Sequence, residues 1–172
     1  MKKIIIITIL TLIVSTLLFS GVLQTKNVDI NRYTGKWYEI ARFGLFWERN
    51  LVNVTAEYSI REDGKITVVN QGFLKTPDGL KSSVKGIAWI PDPEDTGKLK
   101  VQFFSSFSSD YWVVILDEEN YDYAVVTQPS MNFLWILSRK PEMSDELKDK
   151  LLSQIKELGF DTDKLEFVPQ EW

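Results

Sequence analysis

Lys98-Leu99-Lys100-Val101-Gln102-Phe103 decides the fold class, because polar and apolar side chains alternate through it without exception. Period two is the pattern of a β-strand with one wet face and one dry face. The pattern recurs on the N-terminal side. Val54, Ala56, Tyr58 and Ile60 oppose Thr55, Glu57 and Ser59, and beyond an Asp63-Gly64 turn Ile66 and Val68 oppose Lys65 and Thr67. Further strand-like runs lie at Gly35–Arg42, Val84–Ile90, Tyr111–Leu116, Tyr123–Thr127 and Phe133–Ser138, which makes eight. Turn residues separate them: Asp78-Gly79, Pro91 to Gly97, Asp117 to Asn120 and Gln128-Pro129-Ser130. Eight sequential strands joined by short turns predict an all-β, antiparallel up-and-down barrel rather than a sandwich, since closure removes exposed edges. One helix is predicted after them. Ser144 is its N-cap, Asp145 and Glu146 sit in the first turn, Leu147, Leu151, Ile155 and Leu158 form its apolar stripe, and Gly159 ends it. A short ninth run, Leu165 to Val168, follows.

The chain has 172 residues, 44% of them apolar, which suits one folded domain over residues 24–172 with a substantial core. It contains no cysteine and no histidine. That excludes disulfides, thiol nucleophiles, Cys- or His-bound metal and histidine acid–base triads, so no cofactor or metal is expected and the prior for an enzyme drops. The formal net charge is −4 with no basic run, a poor composition for binding nucleic acid. At the N-terminus, Lys2 and Lys3 precede an uncharged stretch from Ile4 to Leu23 rich in isoleucine and leucine. A positive start before an apolar run reads as an export segment, and residues 1–23 are either a cleaved signal peptide or an uncleaved membrane anchor. The expected location is the cell envelope, periplasmic or membrane-associated with the outer membrane included. Without a cysteine the attachment would not run through a lipidated one.

Three segments in order carry a resemblance. Asn31 to Arg42 contains Gly35-Lys36-Trp37 at the start of the first strand, Asp117 to Val126 contains Tyr121-Asp122-Tyr123-Ala124, and Leu134 to Arg139 ends the eighth strand in arginine. Together they resemble the conserved blocks of lipocalins, with bacterial lipocalins and apolipoprotein D as the nearest members. The resemblance runs from about Asp29 to the end of the chain. It implies that Trp37 closes the narrow end of the barrel, that the Arg139 guanidinium stacks on its indole, and that Gly35 lets the chain pass close beneath. On this view Gly35, Trp37 and Arg139 are structural. The resemblance also places the helix outside the barrel.

An eight-stranded barrel either fills with side chains or holds one small ligand, and periodicity leaves both open. Counting back from Arg139 puts Leu137, Trp135 and Phe133 on the inner face of the eighth strand. Alternation elsewhere points Tyr58, Asn70, Phe103 and Tyr111 inward, with Val54, Ala56, Val68, Gly86, Ala88, Val101 and Val113. The small residues leave space. The predicted ligand-binding set is therefore Tyr58, Asn70, Phe103, Tyr111 and Trp135, with Asn70 suited to orienting a polar group. Glu39 shares the phase of Trp37, and a charge there needs a partner or water. Phe43-Gly44-Leu45-Phe46-Trp47 reads as a lid or a membrane contact. Ser105 to Asp110 reads as a flexible hairpin tip, and aromatics around it support a homodimer. The leading function is a carrier of fatty acids, lysophospholipids or similar small hydrophobic ligands. The alternatives are a lipocalin-fold enzyme using Glu39 as acid or base, and a membrane-tethered interaction module with a filled barrel.

Overall fold

Alternation carries the chain through eight strands that close on themselves. The computed structural model describes residues 23–44, 48–104 and 107–172. The strands are β1 (Gly35–Phe43), β2 (Leu51–Ile60), β3 (Ile66–Leu74), β4 (Lys81–Trp89), β5 (Lys98–Phe104), β6 (Phe107–Leu116), β7 (Tyr123–Thr127) and β8 (Leu134–Ser138). Each pairs antiparallel with its sequence neighbour, and β1 joins both β8 and β2, which closes the barrel. A helix α1 (Ile30–Tyr33), capped by Asp29, precedes β1. A helix α2 (Asp145–Glu157), a 3-10 turn (Thr162–Lys164) and a short strand β9 (Leu165–Phe167) follow β8.

The second, third and sixth strands are longer than the alternation indicated. β3 continues from Val68 to Leu74, and β6 begins at Phe107, so Phe107 to Asp110 are strand and not hairpin tip. Only Ser105 and Ser106 separate β5 from β6, and both lie outside the described residues. So do Leu45, Phe46 and Trp47 of the expected lid, and residues 1–22 of the expected export segment. Among the described residues no helix is long and apolar enough to cross a membrane.

Two apolar clusters share the sheet. Inside the barrel, Trp37, Tyr33, Tyr58, Val68, Val113 and Leu137 pack together. Outside it, Leu151 and Ile155 of α2 are fully buried against Ile40, Val114, Val125 and Ile136. β6 to β8 are thus dry on both faces, which explains why they read as nearly continuous apolar runs. α2 is held at its start by the Ser144 hydroxyl accepting from the Leu147 N–H, and stops where Gly159 adopts φ +92°.

β1 contains the irregularity that matters most. Glu39 lies opposite Leu137, but Ala41 lies opposite Ile136 and Arg42 opposite Trp135. The register shift between Glu39 and Ala41 is a bulge, and it changes the face of everything after it. Ala41 and Phe43 turn outward toward α2, and Arg42 turns inward beside Glu39. On the other edge of β1 the C-terminal tail fills the gap left by β2. The Asn53 N–H donates to the Pro169 carbonyl at 2.8 Å, and the Gln170 amide donates to the carbonyls of Glu39 and Val54 at 2.8 and 3.0 Å.

Candidate functional site

The narrow end of the barrel is sealed by a stack. Trp37 is fully buried, its indole N–H donates to the Tyr33 carbonyl at 2.8 Å, and the Arg139 guanidinium carbon sits 3.9 Å from its ring centre. The same guanidinium donates to the carbonyls of Arg32, Lys36 and Tyr121 at 2.6, 2.9 and 3.3 Å. Three chain segments are tied by one planar cation, which Lys could not do. Gly35 takes φ +93°, and a Cβ there would stand 3.4 Å from Arg139 Nη1. Trp37, Arg139 and Gly35 therefore form a floor.

Above that floor lies a cavity of about 320 Å³. Tyr58, Asn70, Phe103, Tyr111 and Trp135 all line it, together with Phe133, Leu137 and the small side chains of Ala56, Val68 and Val101. All five residues singled out by alternation thus converge on one space. Gly86 explains how Phe103 fits, because a Cβ at that position would collide with its ring. The cavity continues into an outer space of about 650 Å³ that includes Val54, Val84, Phe104 and Phe107. The residues common to both spaces, among them Glu39, Glu48, Asn70 and Phe103, mark a neck between them.

At the bottom of the inner cavity three phenols meet. The Tyr111 hydroxyl lies 2.8 Å from that of Tyr33 and 2.9 Å from that of Tyr58. Burial pushes all three well up, Tyr58 to about 12, so they remain neutral donors and acceptors. Two bonds use two of the three hydroxyl protons. Tyr33 is fully buried, and the remaining proton is best placed on Tyr58 or Tyr111, which face the cavity.

The neck holds the charges. Glu39 is buried, and its carboxylate accepts from Arg42 Nη1 at 2.7 Å. Arg42 Nη2 donates to the Glu48 carbonyl at 2.5 Å, while Arg42 Nε stands 4.0 Å from Glu48 Oε2, beyond hydrogen-bond distance. Two carboxylates thus share one guanidinium. Burial raises Glu39 against the opposing pull of Arg42. Burial and the nearby Glu39 charge raise Glu48 to about 7, with Arg42 and the Trp135 indole opposing. Glu48 Oε2 and Asn70 Oδ1 are both buried with no hydrogen-bond partner among the described residues. Arg42 supplies the partner that Glu39 required, and strict alternation concealed it because of the bulge. Glu48 belongs to the connection before β2, where no periodicity marks an inward side chain.

Family comparison agrees with this geometry. A model of the lipocalin-like domain matches residues 28–170. The chain belongs to the lipocalin family. Similar proteins include the outer membrane lipoprotein Blc of Vibrio cholerae, 42% identical with 88% of each chain covered. Blc of Escherichia coli K12 is 44% identical over 87% of this chain and 84% of that one, and apolipoprotein D of Mus musculus is 35% identical over 84% and 78%. Among solved structures, insecticyanin of the tobacco hornworm Manduca sexta superposes with a TM-score of 0.68 at 24% identity, covering 86% of this lipocalin and 83% of that chain. That likeness concerns the fold. The Blc relatives correct the expected location, which placed the protein at the envelope without a lipidated cysteine. They are outer membrane lipoproteins, a class held by a lipidated cysteine. This chain departs from them in having no cysteine.

Proposed function

We propose that this lipocalin binds and carries a small hydrophobic ligand in the barrel cavity, and that the ligand is a single-tailed lipid such as a fatty acid or lysophospholipid. The observation that carries the reading is the cavity itself. A cavity of about 320 Å³ above a sealed floor, lined mainly by apolar and aromatic side chains with a polar minority that includes Glu39, Glu48, Asn70 and Asp110, is the lining expected of a site that orients an amphipathic molecule. Burial of the tail supplies the drive, at about 25 cal/mol per Å² before the costs of association. A barrel filled by its own side chains does not fit a space of this size. The exposed Phe104 and Phe107 at the mouth support self-association there, and a monomeric mass by light scattering removes that part of the reading.

The test is titration with a fluorescent fatty acid followed through tryptophan emission, then displacement by unlabelled fatty acid and lysophospholipid. Saturable one-site binding, lost in Trp135→Ala while the circular dichroism spectrum is retained, is the expected result. A folded protein with no saturable binding overturns it.

A further inference from the structure

The neck of the cavity has a mismatch between charges and between hydrogen-bonding partners. Glu39 and Glu48 bring two carboxylates, and among the described residues Arg42 brings the one cation paired with them. Arg42 is committed at Nη1 to Glu39 and at Nη2 to the Glu48 backbone carbonyl. The Glu48 carboxylate is left with the Trp135 indole, a distant Nε and an Oε2 that has no partner among the described residues. Asn70, which lines the same neck, has a buried Oδ1 with no hydrogen-bond partner among the described residues. Asp110 also borders the inner cavity, but Lys100 Nζ neutralises it at 2.8 Å. Of the three orphaned atoms here, Arg42 Nε is a donor that stands 4.0 Å from Glu48 Oε2 and carries no bond to it, while Glu48 Oε2 and Asn70 Oδ1 both accept hydrogen bonds and one of them carries negative charge.

A buried acceptor without a donor is costly, and a buried carboxylate more so. A ligand that brings donors and positive charge removes both costs at once. A ligand that brings a carboxylate adds a third negative group. From this we infer that the neck is a subsite for an ammonium group, so that the preferred ligand is a single-tailed lipid with an amine-bearing head rather than a simple fatty acid. The inference rests on the carrier reading above. In this arrangement the tail descends toward Tyr58 and Leu137, and the ammonium lies between Glu48 and Asn70. Trp135 borders the same space, and aromatic rings tolerate an alkylammonium better than an aliphatic wall does.

The experiment compares decylamine, decanol and decanoate as displacers of a bound fluorescent probe at pH 8, in the native protein and in Glu48→Gln, Asn70→Leu and Glu57→Gln. Glu57 is exposed on β2, so its variant makes the same change of net charge away from the neck. In the native protein decylamine is expected to displace the probe at a concentration at least tenfold below decanol, with decanoate weakest. Glu48→Gln should bring decylamine to within about threefold of decanol, Asn70→Leu should reduce the advantage in part, and Glu57→Gln should preserve it. Equal displacement by decylamine and decanol in the native protein overturns the ammonium subsite and leaves the carrier reading intact. Equal loss of the advantage in Glu57→Gln and Glu48→Gln overturns it too, by assigning the preference to net charge. Failure of the fluorescent fatty acid itself to bind saturably overturns the carrier reading instead, and failure of all three compounds to displace a bound probe overturns the subsite. The native comparison decides even if a variant does not fold.

Discussion

The two ends of the barrel use charge in opposite ways. At the narrow end, Arg139 donates to three carbonyls and covers Trp37, and Arg32 donates to the carbonyls of Glu118 and Glu119 while stacking 4.1 Å over Tyr121. Polar atoms there close the fold. At the neck, Glu39 and Arg42 are more enclosed than either of those arginines, and with the half-buried Glu48 and Asn70 they form an incompletely paired group. Four buried side-chain polar atoms lack a partner among the described residues, and three of them, Arg42 Nε, Glu48 Oε2 and Asn70 Oδ1, sit at this one place. Native interiors satisfy nearly all such atoms, so their concentration beside a cavity separates a site from a scaffold.

The sharpest way to break that contrast is to truncate one tryptophan from each end. Trp37→Ala removes a fully buried ring and the platform under Arg139, and should lower the free energy of unfolding by about 4 kcal/mol. Trp135→Ala removes a ring that already borders empty space, and should cost about 2 kcal/mol. Urea unfolding of both variants measures the difference. Equal costs would mean that Trp135 is core and the two ends are built alike.

A second test concerns the ion pair. Arg42→Met leaves the Glu39 carboxylate buried without its 2.7 Å partner and should cost about 3 kcal/mol. The double variant Glu39→Gln/Arg42→Met removes both charges and should recover most of that loss, because the pair as a whole contributes little beyond its own desolvation. If the double variant is as unstable as Arg42→Met alone, the loss comes from the packing of the arginine stem.

How far these residues could be foreseen depends on the physics that places them. The inward positions of Tyr58, Asn70, Phe103, Tyr111 and Trp135 were legible, because regular pleating turns spacing into direction. Arg42 was not: one bulge reversed the alternation within three residues. Glu48 lies in a connection, where backbone direction is set by tertiary contacts and leaves no period. The four-residue helix α1 is too short to show a stripe, so the place of Tyr33 under Trp37 and beside Tyr111 was hidden too. Trp37 and Arg139 were identifiable through family resemblance, since a contact between residues 102 apart in the chain has no local signature.

The raised carboxyl of Glu48 sharpens the comparison through pH. Its ordinary value near 4.5 applies to the unfolded chain, and its folded value is about 7. Between these the native state binds more protons than the unfolded state, so stability falls as pH rises through this window and levels off above it. Glu39 is shifted in the same direction. With allowance for the 19% exposure of the Glu48 side chain, the native protein should lose on the order of 2 kcal/mol between pH 4.5 and 7.5. Urea midpoints across this range should flatten in Glu48→Gln, whose amide does not titrate. Parallel curves for the two proteins would place the proton elsewhere. No such dependence should come from the narrow end in this range, where Arg139 remains charged and the phenols remain neutral.

The smallest effect carries the opposite sign. Asn70 faces Ala56 and Val84 across its two neighbouring strands, and its buried Oδ1 has no donor. If the fold retains this group for a ligand, the empty protein bears the desolvation cost alone. Asn70→Leu, of similar shape, replaces an unmet acceptor with an apolar group and should stabilise the ligand-free barrel by about 1 kcal/mol while weakening amine displacement. Differential scanning calorimetry of ligand-free native protein and variant reads the sign. A lower melting temperature in Asn70→Leu would show that the amide is already satisfied, and would move Asn70 from the binding neck to the scaffold. A higher one, combined with weaker binding, is the pattern of a residue kept for its ligand at the expense of the fold.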